Sequence, residues 1–434
     1  MAFVSVYVSG YLCFMLRDEK KNDNGANLVL GIETSCDETA IALLNTDGDL
    51  VYNDIYSQID IHAQYGGVVP EVASRSHVVQ LQIMMNKLKK ETGINANQIA
   101  AIATTGPGLI GGLIVGATFA KGMCQQLGVP FIGVNHLEGH ILSAQLTHKQ
   151  CTFPFVAMLV SGGHCQIVMA HSLGNYTLLA QTLDDAAGEA FDKTARMLGF
   201  NYPGGKQIDD YAKRGDKHKY LLPVAKLKNT KNKSFFNAAD MSFSGLKTAT
   251  ATIIKNITAN EPLNINETDL DINNVNNSKA VKSAAAHKNA TSIKDVIKDN
   301  TKQAALLTEK QKEDLSASIQ YTITQTLQHS LTTALQSVDM SHEQKKLVIC
   351  GGVAANSSIR EMISSTAKEH EYKVFMPEMQ FCTDNGAMIA MAGLRYYQAG
   401  IFSSLDCQQR PRWPLQTMNQ NIRKSVNEGM NEGK

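Results

Sequence analysis

Two stretches of this 434-residue chain follow the same order of elements. Residues 27–57 read NLVLGIETSCDETAIALLNTDGDLVYNDIYS, which is an apolar strand, a small polar turn, a second strand, an Asp-Gly turn and a third strand. Residues 155–181, FVAMLVSGGHCQIVMAHSLGNYTLLAQ, repeat that order with a Ser/Gly/His turn and a Gly-Asn turn. A unit used twice predicts two related lobes that face each other, each of which supplies a short turn to a central cleft.

Strands alternate with helical segments in the rest of the chain. Residues 98–120 give a strand, a glycine-rich turn and a helical run, and residues 346–367 give a buried strand, two glycines and a helix. This alternation predicts an α/β chain. One long amphipathic helix is predicted by apolar residues that recur every four positions, namely Leu315, Ile319, Ile323, Leu327, Leu331 and Leu335.

Composition separates two segments from the lobes. The first 16 residues carry no charge, but they are too few for a bilayer span and lack a basic n-region, so we interpret residues 1–27 as a non-core extension. Translation from Met15 is the alternative. Residues 258–302 are rich in Asn and Lys and contain no aromatic residue, which predicts a flexible insertion. We therefore predict an N-terminal lobe over 28–150, completed by about 395–415, and a C-terminal lobe over 151–394.

Charge and cysteine content narrow the functional classes. The net charge is +1 and the pI is about 7.6, so any nucleic-acid surface must be a local patch. Eight cysteines form no CxxC pair, which argues against a zinc ribbon or a secreted disulfide framework and fits a reducing cytoplasm. The densest basic stretch outside the insertion is 206–233, which is either a solvated surface or a phosphate-binding patch. Its cations are Lys206, Lys213, Arg214, Lys217, Lys219, Lys226, Lys228, Lys231 and Lys233.

Two histidines in GVNHLEGHILSA suggest a metal site. On a helix His136 and His140 lie on one face, where they could hold one ion. Histidines at this spacing are also common as buried or surface residues without a metal. The spacing is that of a zinc-protease HExxH motif, but Leu137 follows the first histidine and Glu138 points away from the shared face. The protease base is therefore missing.

Asp384, in FCTDNGAMI, is the candidate for a third ligand. It lies in a small-residue turn before an apolar helix, where its carboxylate either caps the helix or reaches into a cleft. Two histidines and a carboxylate leave coordination positions open for substrate oxygens. Such a site suits iron(II), zinc or manganese acting as a Lewis acid.

Five glycine-rich or small polar turns could hold an anionic ligand through backbone N–H groups. They span 33–39, 106–112, 160–164, 202–206 and 350–356, and each of them alone is a routine connection between elements. A P-loop GxxxxGK[ST] is missing, and no GxGxxG follows the first strand. In DDAAGEAFDKTARMLG, Asp192 is either part of a solvated helix face or an acceptor for the hydroxyls of a ribose.

Eleven motifs occur in order from Leu28 to about Leu415, apart from the insertion. They are GIETSCDETA, YGGVVPEVASRSH, GPGLIGGLIVG, NHLEGH, LVSGGH, DDAAGEAFDKTARMLG, YPGG, FSGLKTA, GGVAAN, FCTDNGAMIA and RPRWPL. Together they closely resemble the tRNA N6-adenosine threonylcarbamoyltransferase family, formerly called O-sialoglycoprotein endopeptidase. The resemblance implies a two-lobed actin-like, sugar-kinase-like fold, a duplicated ribonuclease-H-like α/β architecture. It also implies transfer of threonylcarbamoyl from threonylcarbamoyl-AMP to N6 of adenosine 37 in tRNAs that read ANN codons, with release of AMP.

The resemblance assigns roles to individual residues. It implies that His136, His140 and Asp384 hold one iron(II), and that Asp37 and Glu38 help in the active site. It also implies three partners: tRNA, a non-catalytic paralogue and a small P-loop ATPase, with no membrane. The nucleotide and acyl parts of the substrate are assigned to Leu159, Val160, Ser161, Gly162, Gly163, Asp192, Gly205, Asp209 and Asn356.

Two other functions stay open from the residues alone. An actin-like ATPase or sugar kinase could use the same turns for ATP, but such enzymes hold Mg²⁺ through carboxylates, phosphates and water rather than through paired histidines. A non-catalytic scaffold is the second alternative, and the intact histidine pair and Asp384 argue against it.

Overall fold

The computed structural model of the protein describes residues 25–65, 67–224, 237–259 and 303–418. The predicted insertion lies outside these ranges except for residues 258 and 259, and the predicted extension lies outside them except for residues 25–27. The alternative start at Met15 is also outside the described residues. Within the described ranges, no helix is both long enough and apolar enough to cross a bilayer.

The chain divides into two compact units. Among the described residues, the first lies within 1–155, 170–177 and 375–434, and the second within 156–169 and 178–374. The predicted C-terminal lobe differs from the second unit at residues 151–155, 170–177 and 375–394, which belong to the first unit.

The first unit is built on a mixed five-stranded sheet with the order β3-β2-β1-β4-β5. Strands β1 and β2 pair antiparallel, as do β2 and β3, whereas β1, β4 and β5 run parallel. Strand β1 is buried along its whole length, as an apolar run in the middle of a sheet requires. The strands are β1 (Leu28–Glu33), β2 (Glu38–Asn45), β3 (Leu50–Ser57), β4 (Ile99–Gly106) and β5 (Phe131–Asn135).

The second sheet has the order β10-β9-β6-β7-β8, with β6 parallel to β9. Read from the other edge, it repeats the order of the first sheet: the third, second and first strands, and then the fourth and fifth. This repetition confirms the predicted duplicated α/β architecture. The strands are β6 (Phe155–Val160), β7 (Cys165–Ser172), β8 (Asn175–Gln181), β9 (Lys346–Cys350) and β10 (Lys373–Phe375).

Ten α-helices connect or flank these strands in the described ranges. The predicted long helix is α8, and all six residues of its predicted stripe are buried, so that prediction is confirmed. The helices are α1 (Ile59–Ala63), α2 (Pro70–Thr92), α3 (Ile110–Leu127), α4 (His136–Leu142), α5 (Ala187–Met197), α6 (Gly205–Ala212), α7 (Ser244–Thr258), α8 (Glu309–Gln336), α9 (Ser357–Glu369) and α10 (Gly386–Gln398).

Helix α10 lies directly on the first sheet because two glycines remove the side chains between them. A Cβ atom at Gly31 in β1 would lie 2.4 Å from the backbone nitrogen of Ala390. A Cβ atom at Gly386 would lie 2.5 Å from the carbonyl carbon of Ile41 in β2. Backbone-to-backbone contact of this kind fixes where the helix starts, and therefore where Asp384, two residues before the start, lies.

Candidate metal centre and substrate turns

Helix α4 begins immediately after β5 and carries both histidines. Asn135, the last residue of β5, caps the helix by accepting the N–H of Leu137 at 3.0 Å. One helical turn separates the two imidazoles, whose centroids are 4.7 Å apart with ring planes at 87°. Both rings are buried, so the helix presents two imidazoles at one place in the first unit.

Asp384 joins the two histidines from the other end of the chain. Its Oδ1 atom lies 3.0 Å from Nε2 of His140 and 3.5 Å from Nε2 of His136. Asn385 provides the cap of α10 by accepting the N–H of Met388 at 2.9 Å, so capping is not the role of Asp384. The potential ligand atoms of the three residues all lie within 4.8 Å of one another.

Glu33 fixes the orientation of His136 and was not among the residues predicted from the sequence. Its Oε2 atom lies 3.2 Å from Nδ1 of His136, and its Oε1 atom accepts the N–H of Ser35 at 2.6 Å. The hydroxyl of Ser35 also lies 3.2 Å from Nδ1 of His136. A carboxylate on the far nitrogen of a ligand histidine is the usual support of a metal site. The available signal in the sequence was an acidic residue at the end of an apolar strand.

The second histidine has no comparable support. Nδ1 of His140 is buried and finds no hydrogen-bond partner among the described residues. Its Nε2 atom is the one that faces Asp384. The position of this ring is therefore set by packing and by Asp384.

Acidic side chains crowd around the three candidate ligands. Burial raises the pKa of Glu38 to about 9, and the carboxylates of Asp384 and Asp37 add to this effect. Burial lowers the pKa of His136, but Asp384 and Glu33 overcome it and raise that pKa to about 9. Buried like charges are unfavourable unless a cation balances them. The donor set and this excess of acids both fit a divalent metal ion.

Glu138 points away from the metal ligands, as predicted. Its Oε1 atom accepts the hydroxyl of Tyr176 at 2.7 Å and the N–H of Gly174 at 2.9 Å, and its Oε2 atom accepts the hydroxyl of Tyr396 at 2.7 Å. The carboxylate is fully buried. It thereby joins α4 to the β7–β8 turn and to α10, which makes it a structural anchor rather than a protease base.

Asp37 lies in the turn between β1 and β2, and Glu38 is the first residue of β2. His77 of α2 contacts this turn. Nε2 of His77 lies 3.1 Å from the carbonyl oxygen of Cys36, and its Nδ1 lies 2.8 Å from the hydroxyl of Thr39. Burial lowers the pKa of His77, which favours the neutral ring. The turn is thus fixed by buried hydrogen bonds.

The SGG turn after β6 belongs to the second unit. Ser161 donates its N–H to the carbonyl of His164 at 2.8 Å, and its hydroxyl accepts the N–H of His164 at 3.0 Å. Leu159 and Val160 are buried at the end of the strand, whereas Gly162 and Gly163 are exposed. A Cβ atom at either glycine would meet no described atom within 4 Å, so the backbone of this turn is open to a ligand.

Asp192 holds the YPGG turn at the start of α6. Its Oδ1 atom accepts the N–H of Gly204 at 2.8 Å, and the N–H of Gly205 also bonds to its carboxylate. Burial raises the pKa of Asp192, although these two N–H groups favour the charged form. The carboxylate of Asp192 therefore does not lie on a solvated helix face. It has a structural role, since it holds the YPGG turn.

Asp209 is hydrogen-bonded to Ser357, the residue that follows Asn356 in the same unit. Ser357 donates its hydroxyl to Asp209 at 3.0 Å. Asn356 caps α9 by accepting the N–H of Ile359 at 3.1 Å, and its side-chain amide donates to Gln320 at 2.9 Å. The folding of this unit thus brings together residues 148 positions apart.

The basic stretch is described only over 206–224. In that part Lys213 pairs with Asp210 at 3.0 Å, and Arg214 pairs with Glu313 at 2.6 Å. Lys226, Lys228, Lys231 and Lys233 lie outside the described residues. Several cations of the described part are therefore engaged with acids of their own unit.

Comparison with known proteins decides the family. The sequence model of tRNA N6-adenosine threonylcarbamoyltransferase matches residues 49–391. The chain belongs to the tRNA N6-adenosine threonylcarbamoyltransferase family. The Rickettsia akari (strain Hartford) enzyme of that name is 40% identical over 394 residues, which cover 89% of this chain and 98% of the relative. The enzyme from Herminiimonas arsenicoxydans is 40% identical over 395 residues, which cover 90% of this chain and 99% of that relative.

Solved structures resemble the chain more distantly. Component A of (R)-2-hydroxyglutaryl-CoA dehydratase from Acidaminococcus fermentans is 12% identical, with a TM-score of 0.44 over 86% of this chain and 99% of that one. YeaZ from Pseudomonas aeruginosa is 20% identical, with a TM-score of 0.24 over 35% of this chain and 64% of that one. The range matched to the threonylcarbamoyltransferase family contains the histidine pair, Asp384 and the candidate turns of the second unit, whereas Glu33, Asp37 and Glu38 precede it.

Proposed function

We propose that this chain transfers the threonylcarbamoyl group of threonylcarbamoyl-AMP to N6 of adenosine 37 in tRNAs that read ANN codons. The proposal depends on one observation: potential ligand atoms of His136, His140 and Asp384 lie close together in a member of this family. The products are N6-threonylcarbamoyladenosine and AMP.

One iron(II) per chain is the proposed metal, held by Nε2 of His136, Nε2 of His140 and a carboxylate oxygen of Asp384. When bound, it supplies a Lewis acid for the threonylcarbamoyl carbonyl. The same donors suit zinc or manganese. Glu33 orients His136 toward this position and keeps its other nitrogen engaged.

The second unit supplies the proposed nucleotide and acyl contacts. The proposed contacts of the first turn are Leu159, Val160, Ser161, Gly162 and Gly163, of which the two exposed glycines offer backbone to a phosphate, because backbone donors need no charge to hold an anion. The remaining proposed contacts are Asp192, Gly205, Asp209 and Asn356. The hydrogen bonds from Gly204 and Gly205 to Asp192 place its carboxylate at the turn itself.

The reaction forms one bond and breaks one. Adenine N6 attacks the carbamoyl carbon, the bond from that carbon to the phosphate oxygen breaks, AMP leaves and N6 gives up a proton. An exocyclic amine is a poor nucleophile, so alignment and electrophile activation contribute more than deprotonation. Asp37 and Glu38 are the proposed helpers: the carboxylate of Asp37 can take the proton that N6 loses, whereas the raised pKa of Glu38 keeps that group protonated near neutral pH in the metal-free chain.

An actin-like ATPase or sugar kinase is the alternative function. The histidine pair disfavours it, because Mg²⁺ in such enzymes prefers oxygen ligands. The alternative predicts ATP hydrolysis or phosphate transfer to a sugar without any transfer to tRNA.

A second protein is the proposed partner of the first unit. Helices α2 and α3 are in close contact, since a Cβ atom at Gly111 would lie 2.2 Å from Oγ of Ser74. Their outer faces expose apolar side chains that a non-catalytic paralogue of the first unit could bury. These are Val78 at 59%, Val79 at 55%, Ile83 at 52%, Ile110 at 46% and Ile114 at 50% exposure.

A small P-loop ATPase is the other proposed protein partner, and the cytoplasm, where tRNA is modified, is the proposed location. The basic stretch 206–233 is a proposed contact for tRNA phosphates. Replacing Lys226, Lys228 and Lys231 by Ala would weaken tRNA binding and flatten its salt dependence.

Transfer of labelled threonine to tRNA tests the function. The assay supplies threonylcarbamoyl-AMP, the iron-loaded chain and its two protein partners, and compares the intact chain with His136→Ala. We expect transfer by the intact chain and at least a hundredfold loss in the variant. ATP turnover or sugar phosphorylation without labelled tRNA would favour the alternative instead.

A further inference from the structure

A C-terminal strap, defined here as residues 403–415, lies along the first unit. Its start pairs with β5, where Ser403 forms a bridge with Phe131 and its hydroxyl accepts the N–H of Gly133 at 3.0 Å. Lys121 of α3 donates to the carbonyl of Cys407. The strap is thus attached to the first unit by hydrogen bonds at its beginning.

The end of the strap exposes two arginines beside the only tryptophan of the chain. The guanidinium of Arg410 lies over the ring of Trp413, 5.8 Å from its centroid. Arg410 and Arg412 are exposed and Trp413 is half-buried. Residues 408–415, QQRPRWPL, carry two positive charges and no acidic residue, and Asp406 precedes them in the strap.

An arginine stacked on an aromatic ring is a suitable platform for an unpaired base. Single-stranded nucleotides bind by stacking on aromatic side chains and on guanidinium planes, with cations near their phosphates. Nε1 of Trp413 is shielded from solvent and finds no acceptor among the described residues, so the ring is not held by its own hydrogen bond. Packing alone keeps it beside Arg410.

The platform adjoins the metal-binding helix. The carbonyl of Trp413 accepts a hydrogen bond at 2.7 Å from the side-chain amide of Asn135, the residue that caps α4. The carbonyl of Arg410 would lie 3.8 Å from a Cβ atom at Gly106, the last residue of β4. The strap therefore crosses the carboxyl ends of two parallel strands, where open α/β sheets bind their ligands.

We propose that Arg410, Arg412 and Trp413 receive unpaired nucleotides of the tRNA anticodon loop beside the target adenosine. This inference rests on the proposed function and names RNA-contacting residues for it. Asn135 bonds both to Trp413 and to α4, so one residue links the strap to the helix that carries the histidine pair.

The single tryptophan gives a direct test. An anticodon stem-loop RNA is titrated into the metal-loaded chain with its protein partners, while binding is followed independently by the anisotropy of a label on the RNA. Stacking of a base on Trp413 would quench its emission over the same concentrations at which the label reports binding. Trp413→Phe in the same mixture gives the background emission, and it loses no hydrogen bond to a described residue.

Variants of the two arginines sharpen the result. We expect Arg410→Ala with Arg412→Ala to weaken RNA binding by about tenfold or more. The slope of log affinity against log salt would fall by about 0.7 per arginine removed. Arg410→Lys keeps the positive charge, so it would keep the salt slope. It removes the guanidinium plane of the platform beside Trp413, so it would lose the quenching. Lys368→Ala, an exposed cation of α9, is the charge-matched control and would change neither.

The outcomes separate this inference from the proposed function. If the chain modifies tRNA, yet Trp413 emission is unchanged by bound RNA and the double arginine variant binds like wild type, the strap surface is excluded while the function stands. If the intact chain neither binds the RNA nor transfers threonine to it, the proposed function fails and the inference fails with it.

Discussion

Nε2 of His140 lies 3.0 Å from Oδ1 of Asp384, although the two residues are 244 positions apart in the chain. The contact exists because α10 lies on β1 and β2 without intervening side chains. Gly31 and Gly386 allow that approach, and Asn385 caps the helix so that the carboxylate of Asp384 is directed to the imidazoles. The packing of α10 on β1 and β2 therefore positions Asp384, the third candidate ligand, although the two glycines are not ligands themselves.

Replacing Gly31 by Ala tests this dependence on packing. The added Cβ atom would lie 2.4 Å from a backbone nitrogen of α10 and would push the helix off the sheet. We expect a loss of about 3 kcal/mol or more in the free energy of unfolding, together with weaker metal retention. Denaturant unfolding and metal analysis measure the two effects.

Gly122→Ala in α3 is the matched control for that substitution. No described atom lies within 4 Å of its added Cβ atom, so the change should stabilise the helix by about 0.5–1 kcal/mol. A Gly31→Ala chain as stable as wild type would contradict the packing argument.

Replacing Glu33 by Gln tests the support of His136. The amide keeps the shape of the side chain but removes the charge that holds Nδ1 of His136. Metal affinity should fall by about 10–100-fold, as measured by competition with a chelator. Asp49→Asn, which removes an exposed carboxylate, should leave the affinity unchanged; equal affinities for Glu33→Gln and wild type would show that Glu33 does not tune the site.

The pH dependence of the metal-free chain follows from two raised pKa values. His136 has a pKa of about 9 in the folded chain against an ordinary value of 6.5, so its stabilising charge is complete below pH 6.5 and is lost as the pH rises to about 9. Glu38 has a pKa of about 9 in the folded chain against an ordinary value of 4.5, so between these values the unfolded chain loses a proton that the folded chain keeps, and stability falls with rising pH throughout that range. Stability should therefore fall between pH 6.5 and 9, by on the order of 3 kcal/mol from His136.

Urea unfolding at several pH values checks this trend. The metal-free Glu38→Gln chain should lose less stability over the range than wild type does, because its side chain no longer ionises. A rise in the stability of the metal-free wild type between pH 6.5 and 9 would reverse the predicted sign.

Glu138 and its tyrosine donors are expected to be energetically coupled, so that their contributions to the free energy of unfolding are not additive. Glu138→Ala removes the carboxylate that accepts the hydroxyls of Tyr176 and Tyr396 and the N–H of Gly174, at a cost of about 3 kcal/mol or more. Tyr176→Phe should cost much less in the Glu138→Ala background than in wild type. A double-mutant cycle should give a coupling of about 1 kcal/mol, whereas additive effects would mean that Glu138 is not an anchor.

Much of the fold follows from local patterns in the sequence. The repeated order of strands and turns predicts the two sheets, since each repeat needs only short connections to form. The four-residue apolar stripe predicts α8, because one face of a long helix must be buried. The histidine spacing likewise predicts a shared face, which α4 provides.

Long-range relationships were harder to predict. Glu33 supports a histidine 103 positions away, and only the pairing of β1 with β4, and of β4 with β5, brings them together. The predicted lobes placed residues 375–394 in the second lobe because sequence order favours neighbours, whereas two glycines let α10 pack on the first sheet. The hydrogen bonds of Asp192 to the YPGG turn depend on a similar approach of α5 and α6, which composition does not encode.

Metal analysis of the purified chain after anaerobic loading with iron(II) tests the central claim most directly. We predict one ion per intact chain, and loss of that ion after gel filtration when Asp384 or His140 is replaced by Ala, with the far-ultraviolet circular dichroism spectrum unchanged. Retention of one ion by a folded chain lacking both Asp384 and His140 would contradict the account.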